Sequence, residues 1–345
     1  MIIKRFFFAI ITAMIISACN PSPAALNVMV HDSFAISTDV IAEFESSNNI
    51  KVNFILSGDA GSMLNKAVLT KNAPIADVLY GVDNTFLSRA LAENIFETYT
   101  SPILEQIPDQ LELDLDHRAL PVDFADVCVN YDKRFFADKE LSVPDSLEQL
   151  TKPEYKGMLV VENPATSSPG LAFLLATIAE FGPEGYQAYW QQLKDNGLVV
   201  VNDWNTAYYT NFSGSSGKGQ QPMVVSYGTS PAAEVIFSDP KVEEAPTASL
   251  VGKNMCFRQI EFVGILKGSE NNSSAQKFVD FMLSKRFQED IPLNMFVFPT
   301  NATAQLPTEF TRYVQIPDQP AVIPADQISA NREKWMENWR ALMLN

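Results

Sequence analysis

The sequence predicts an α/β fold of two lobes, each a mixed sheet flanked by helices, joined by two crossover strands with a cleft between them. Three observations carry this. Strand, polar turn and helix succeed one another three times near the start of the chain, the pattern of a parallel α/β layer. The same unit returns between residues 159 and 237. Two long strand-like runs, ALPVDFADVCVNYDKRFF (119–136) and CFRQIEFVGILKGS (256–269), separate these blocks, and the first changes pattern partway, as a strand passing between two lobes would.

Each element has a local reason. ALNVMV opens a buried strand that stops at the polar turn HDS (31–33). TDVIAEFESSNNI (38–50) has apolar residues at helical spacing, with Thr38 as N-cap. KVNFIL passes through the turn GDAG (58–61) into a helix ending near residue 69, and IADVLYGVDN passes into a helix ending near 94. In such sheets ligands gather at the carboxyl ends of the strands, here HDS, SGDAGS (57–62) and GVDN (81–84). Residues 139–157 read as a short helix between prolines. In VENPATSSPGLAFLLATI (161–178) an apolar strand end breaks into hydroxyl residues and Pro169-Gly170 before a long apolar helix. Its N-terminus offers N–H groups to an anion or a hydroxyl. Residues 182–197 form an amphipathic helix closed by Gly197. LVVVNDW (198–204) with a helix from about 205, and QPMVVSYGTSPAAEVIF (221–237), complete two further units around a surface loop at 213–221. Residues 273–291 are helical, as is the tail 328–344, where Trp335 and Trp339 stand four apart as packing anchors.

Composition narrows the function. Lys4 and Arg5 precede the short apolar run 6–16, and Ile16-Ser17-Ala18-Cys19 follows it, so residues 1–18 read as an export signal too short to span a membrane. The I-S-A-C ending resembles the lipobox of bacterial lipoproteins, which implies a lipid on the Cys19 sulfur and attachment at the cell envelope. Removing residues 1–18 moves the formal net charge from −16 to −18. That argues against nucleic acid and for a cationic ligand. Two His residues exclude a His-rich metal site. Cys128 and Cys256 lie in apolar strand-like runs; in an oxidising compartment they either pair or stay as two buried thiols.

HDSFA (31–35), ADVLYGVDN (76–84), ATSSPGL (165–171), SYGTSPA (226–232), AQKFVDFMLS (275–284), FQEDIP (287–292) and the W-x3-W tail occur in an order that resembles the exported solute-binding proteins of ABC importers, and among them the thiamine-binding proteins. The resemblance covers nearly the whole chain after Cys19. It implies the type II periplasmic-binding-protein fold, a periplasmic location, an ABC permease as partner, no cofactor and binding without chemistry. It divides the chain into one lobe of residues 19–127 plus about 263–300 and a second of 128–262 plus about 301–345. Hinges then fall at about 121–131 and 256–266.

The same resemblance implies ligand contacts at Asp59, Ala60, Ser167, Ser168, Trp204 and Tyr227 through Ser230, including Gly228 and Thr229. These residue types suit thiamine or its phosphate. Trp204 and Tyr227 offer aromatic faces to the thiazolium cation. Asp59 accepts from an amino group and offsets charge. Ser167 and Ser168 hold the hydroxyl or phosphate arm at a helix start. The chain departs from the family where His31 and Ala233 stand for Tyr and Phe296 for Trp; His31 and Phe296 keep their places at the site, but the aromatic enclosure is thinned. Two alternatives keep the fold. Tyr208-Tyr209 resembles the tyrosine pair of ferric-iron-binding relatives, and a polyamine would also suit an acidic cleft. A third alternative is an enzyme like thiaminase I, with Cys128 as nucleophile and Glu234 or Glu261 as base.

Overall fold

The computed structural model describes residues 23–58, 60–216 and 218–344. The expected export signal, the expected lipidation position Cys19, and Asp59 lie outside the described residues. Ten strands form one sheet among them: β1 (Ala24–Val30), β2 (Ile50–Leu56), β3 (Val78–Asp83), β4 (Leu120–Asp132), β5 (Leu159–Glu162), β6 (Val199–Val201), β7 (Met223–Tyr227), β8 (Thr247–Leu250), β9 (Phe257–Ile265) and β10 (Phe298–Pro299). Their order is β2-β1-β3-β9-β4-β7-β5-β6, with β8 and β10 also paired to β4. The outer triplets β2-β1-β3 and β7-β5-β6 are parallel, as the strand-turn-helix repeats require. β9 and β4 run antiparallel to each other and to their other neighbours, and they join the two triplets. The two-lobed fold class is as the sequence predicts.

The two crossover strands are also where the apolar interior divides. One core gathers Leu26, Val78 and Phe278 with Leu120 and Val122 of β4 and Ile260 and Val263 of β9. The other gathers Leu174, Trp190 and Trp339 with Val127 and Val129 of β4 and Phe257 at the start of β9. Cys128 and Cys256 form a disulfide with Cα atoms 4.3 Å apart, and both are fully buried. It ties the crossover strands together on the side of the second core. Two residues away, Arg258 makes a bidentate pair with Asp126 at 2.9 Å on both oxygens, again from β9 to β4.

Trp190 and Trp339 meet edge to face at 5.4 Å in the second core, and the Trp190 indole N–H donates to Thr177. The tail tryptophans are thus packing anchors, which fastens the helix Ala325–Met343 to this lobe. Several local readings need correction. Ser37, not Thr38, is the N-cap of the helix Thr38–Asn48; the Ser37 N–H donates to Asp290 across the lobe. Residues 139–157 hold two short 3₁₀ turns, Glu148–Thr151 and Pro153–Tyr155, because Pro153 interrupts the helical ladder. The helices read at 168–181 and 182–197 run on as Ser168–Asp195 through a break at Gly182, whose φ is 73°, ahead of Pro183. β8 and β10 are additional strands, each too short to show a period.

Candidate functional site

Between the lobes lies a cavity of about 670 Å³. The elements around it are strand ends and helix starts, for the reason the parallel units suggest. His31 follows β1, Ala60 begins the helix Ala60–Leu69, and Ser167 and Ser168 open the helix Ser168–Asp195. Trp204 follows β6 and Tyr227 ends β7. Thr229 and Ser230 start the helix Ser230–Phe237, and Phe296 completes the rim. Of the residues expected from sequence, all of these line the cavity.

Gly228 does not line it: its N–H donates to the Asp126 carbonyl at 2.7 Å, and it is buried against the Cys128 sulfur. Thr229 is fully buried and its hydroxyl donates to the Phe296 carbonyl at 2.6 Å. That bond holds Phe296 in the left-handed region at φ 57°, an unusual conformation for a bulky residue, with its ring against Phe237. Ser230 shares its hydroxyl with Ser226 at 3.0 Å, and Ser226 in turn accepts from the Trp204 indole N–H at 2.9 Å. The Thr-Ser pair therefore shapes the wall and orients Trp204. Ser167 makes no capping hydrogen bond with its side chain, so capping does not account for its hydroxyl, and the residue lines the cavity. A Cβ at Gly170 would lie 2.5 Å from the Glu162 carbonyl, so glycine lets this helix start sit against the end of β5.

The aromatic wall is rebuilt. Trp204 stacks on Tyr208 at 4.9 Å and 17°, and Tyr209 stands edge-on to it at 5.4 Å. The segment Thr206–Asn211 is π-helical. Tyr208 and Tyr209 both line the cavity, the first from a buried position and the second from an exposed one. The Tyr208 hydroxyl donates to Glu234 at 2.7 Å, while Tyr209 is exposed. Among the described residues no group of three or more His, Cys, Asp or Glu is placed to hold a metal ion.

Beneath the aromatic wall lies an acidic floor that the family resemblance does not point to. Asp123 of β4 and Glu261 of β9 are register partners, and both line the cavity. The Tyr80 hydroxyl from β3 contacts Asp123 in a very short hydrogen bond and Glu261 at 3.1 Å. His31 Nε2 lies 3.4 Å from Glu261, an ion-pair contact rather than an aligned hydrogen bond. A Cβ at Gly81 would sit 2.3 Å from the His31 ring, so glycine at this position lets the imidazole lie over β3.

Burial, followed by the charge of Glu261, pushes the Asp123 carboxyl well above its ordinary range. Burial also acts on Glu261, but His31 and the Tyr80 hydroxyl outweigh it and hold Glu261 ionised below its ordinary value. For His31, burial lowers and the carboxylates Glu261, Asp32 and Asp83 raise, and the net direction is up. Asp83, behind the floor, is pushed up to about 6 by burial against two hydrogen bonds from Thr85. Asp32, Asp203 and Glu234 add to the acidic lining, and among the described lining residues there is no Lys or Arg.

The alternative with Cys128 as nucleophile does not survive this geometry. The Cys128 sulfur is bonded to Cys256 and buried, so no thiolate nucleophile is available. Glu234 is held by Tyr208 and Glu261 by His31 and Tyr80, neither beside a free thiol.

The profile of the bacterial extracellular solute-binding proteins matches residues 73–331. The chain belongs to this family. Periplasmic solute binding follows for this solute-binding protein from the family and its relatives. The thiamine-binding periplasmic protein of Brucella suis biovar 1 (strain 1330) is 28% identical over 344 residues, 96% of this chain and 98% of that protein. The thiamine-binding periplasmic protein of Escherichia coli (strain K12) is 28% identical over 320 residues, 91% of this chain and 92% of its own. Among solved structures, a periplasmic thiamin binding protein superposes with a TM-score of 0.77 at 25% identity, covering 92% of this solute-binding protein and 96% of that chain. A ferric binding protein from Campylobacter jejuni shares the fold with a TM-score of 0.75 at 21% identity, covering 92% and 99%. No helix among the described residues is long and apolar enough to cross a membrane.

Proposed function

We propose that this solute-binding protein captures thiamine, bare or phosphorylated, in the inter-lobe cavity and delivers it to an ABC permease. The observation that carries the reading is the lining: aromatic faces above an acidic floor, with no Lys or Arg among the described lining residues. An aromatic cation suits that chemistry, gaining roughly 0.5–2 kcal/mol from each favourably placed ring face as it is desolvated. The names of the relatives point the same way.

In this reading Trp204 and Tyr227 flank the rings. Ser167 and Ser168 take the hydroxyethyl or phosphate arm at the start of the helix Ser168–Asp195. Ala60 presents a second helix start, and Asp59 beside it receives the aminopyrimidine. Phe296 and His31 close the rim and the floor. The bound state forms when the lobes close about the segments where β4 and β9 leave one core for the other, between residues 125 and 127 and between 257 and 260. The disulfide and the Arg258–Asp126 pair keep the crossover strands in register during that motion. Lipid on Cys19 would hold the protein at the envelope near its permease.

Calorimetric titration with thiamine, thiamine phosphates, spermidine and Fe(III) tests the reading. Saturable one-to-one binding of thiamine with the other two classes inert supports it. Heat from Fe(III) or spermidine alone replaces it with a metal or polyamine carrier.

A further inference from the structure

We infer that Asp123 and Glu261, side by side on the two crossover strands, are the counter-charge that selects a permanently cationic ligand, and that uptake of the cation expels one proton from the cleft floor. The inference rests on the proposed thiamine reading only for the identity of the cation.

The geometry is unusual for a sheet. Two carboxylates directly opposite each other on neighbouring strands repel. Here they are register partners, and Asp123 is fully buried. The Asp123 Oδ1 is buried with no hydrogen-bond partner, on a residue that lines the cavity. A buried acceptor left open costs about 1–3 kcal/mol. The Tyr80 hydroxyl has a single proton and reaches oxygens on both carboxylates, so it satisfies one acceptor at a time.

Charged and titratable groups face this pair from every element around it. His31 and Asp32 come from the turn after β1, Tyr80 and Asp83 from β3, and Tyr227 from β7. Gln259, on β9 itself, donates to Asp83. His31 is the one group among them able to carry positive charge.

The charge count follows. Glu261 already faces His31 at 3.4 Å and the Tyr80 hydroxyl holds Asp123, so neither carboxylate is free for an entering cation. A permanent cation entering a desolvated site then leaves an uncompensated positive charge, which is expensive. Release of one proton, from His31 or from Asp123, restores neutrality and gives the ligand a carboxylate partner. Either source gives the same sign: the cation displaces a proton, so affinity rises with pH. A neutral ligand displaces none.

The test is calorimetry on the exported chain in buffers of different ionisation enthalpy, between about pH 6 and 8 where histidine titrates. Thiamine is the probe, and its uncharged half, 4-amino-5-hydroxymethyl-2-methylpyrimidine, is the control. Wild type is expected to release close to one proton per thiamine and none with the pyrimidine. Glu261→Gln is expected to weaken thiamine roughly tenfold or more, as truncating a buried charged partner does, and Asp123→Asn to do the same where Asp123 gives up the proton, while the pyrimidine loses less than about threefold. Where a variant does not fold, the wild-type proton count decides. Thiamine binding with no proton exchanged, or both folded variants at wild-type affinity, overturns the inference. Wild type that ignores thiamine but binds choline or spermidine with proton release refutes the thiamine reading and leaves the floor's role standing. Wild type that binds no organic cation overturns both.

Discussion

Trp204 reports on the cleft directly. The chain has four tryptophans, and Trp190, Trp335 and Trp339 are buried in the second core at 0%, 6% and 1% exposure. Trp204 is the one that lines the cavity. A ligand in the cleft should therefore change tryptophan emission through Trp204, and Trp204→Ala should abolish that change while the other three emit as before. The affinity loss has two parts. One ring face over a cation is worth roughly 0.5–2 kcal/mol. Loss of the partner that stacks on Tyr208 and donates to Ser226 loosens the wall, adding on the order of 0.5–1.5 kcal/mol. Together these predict a loss of about 1–3.5 kcal/mol, roughly 5- to 400-fold in Kd. Trp204→Phe keeps a face and should lose about threefold to tenfold on the same scale. The assay is fluorescence titration for the signal and calorimetry for Kd, with the melting temperature as a check on folding. A Trp204→Ala protein that binds thiamine at wild-type affinity would refute the placement of the rings.

Other perturbations separate structure from binding. Replacing Ser167 and Ser168 by Ala should weaken a thiamine phosphate more than thiamine, because the Ser167 side chain makes no cap bond; equal losses by calorimetry would assign the serines to the helix alone. Cys128→Ala with Cys256→Ala opens a loop of sequence separation 128. Chain entropy sets the cost at up to about 5 kcal/mol, and denaturant unfolding should show a loss of roughly 3–5 kcal/mol. A loss under about 1 kcal/mol contradicts the bridge. Asp114 accepts from the Arg118 side chain and from the Arg118 and Ala119 N–H groups, and the Arg118 contacts outweigh burial to hold it below its ordinary value. A lowered carboxyl stabilises above its unfolded pKa and loses that contribution as pH falls through the folded one. Asp114→Asn should therefore be less stable by about 1–3 kcal/mol at neutral pH, with the gap closing in melting curves as pH falls below the ordinary carboxylate range.

Much of the site could be read from the chain because its residues sit at local punctuation. Ser167 before Pro169-Gly170, Trp204 between polar neighbours and Tyr227 before Gly-Thr-Ser each stand where a strand breaks into a helix, and the cavity collects them. The strand repeats likewise fixed the parallel triplets, since each repeat is local. The acidic floor depends on long-range register. Asp123 and Glu261 are 138 positions apart in the sequence and meet because β4 and β9 pair. The signal was present: ALPVDFADV and FRQIEFVGI each carry an acid inside an apolar strand, which needs a reason. The Tyr208-Tyr209 pair was visible, but its direction was not. Both rings reach the cavity, Tyr208 buried and Tyr209 exposed, and that depends on the packing around Trp204. Trp339 was read correctly because its i, i+4 partner Trp335 marks one buried face.

The most direct test of the central claim is calorimetric titration of the exported protein with thiamine, read beside Fe(III) and spermidine. One saturable site for thiamine at micromolar concentration or tighter, accompanied by quenching of Trp204, is the result the acid-and-aromatic cleft predicts. Absence of heat with thiamine at those concentrations, with Fe(III) or spermidine bound instead, would contradict it.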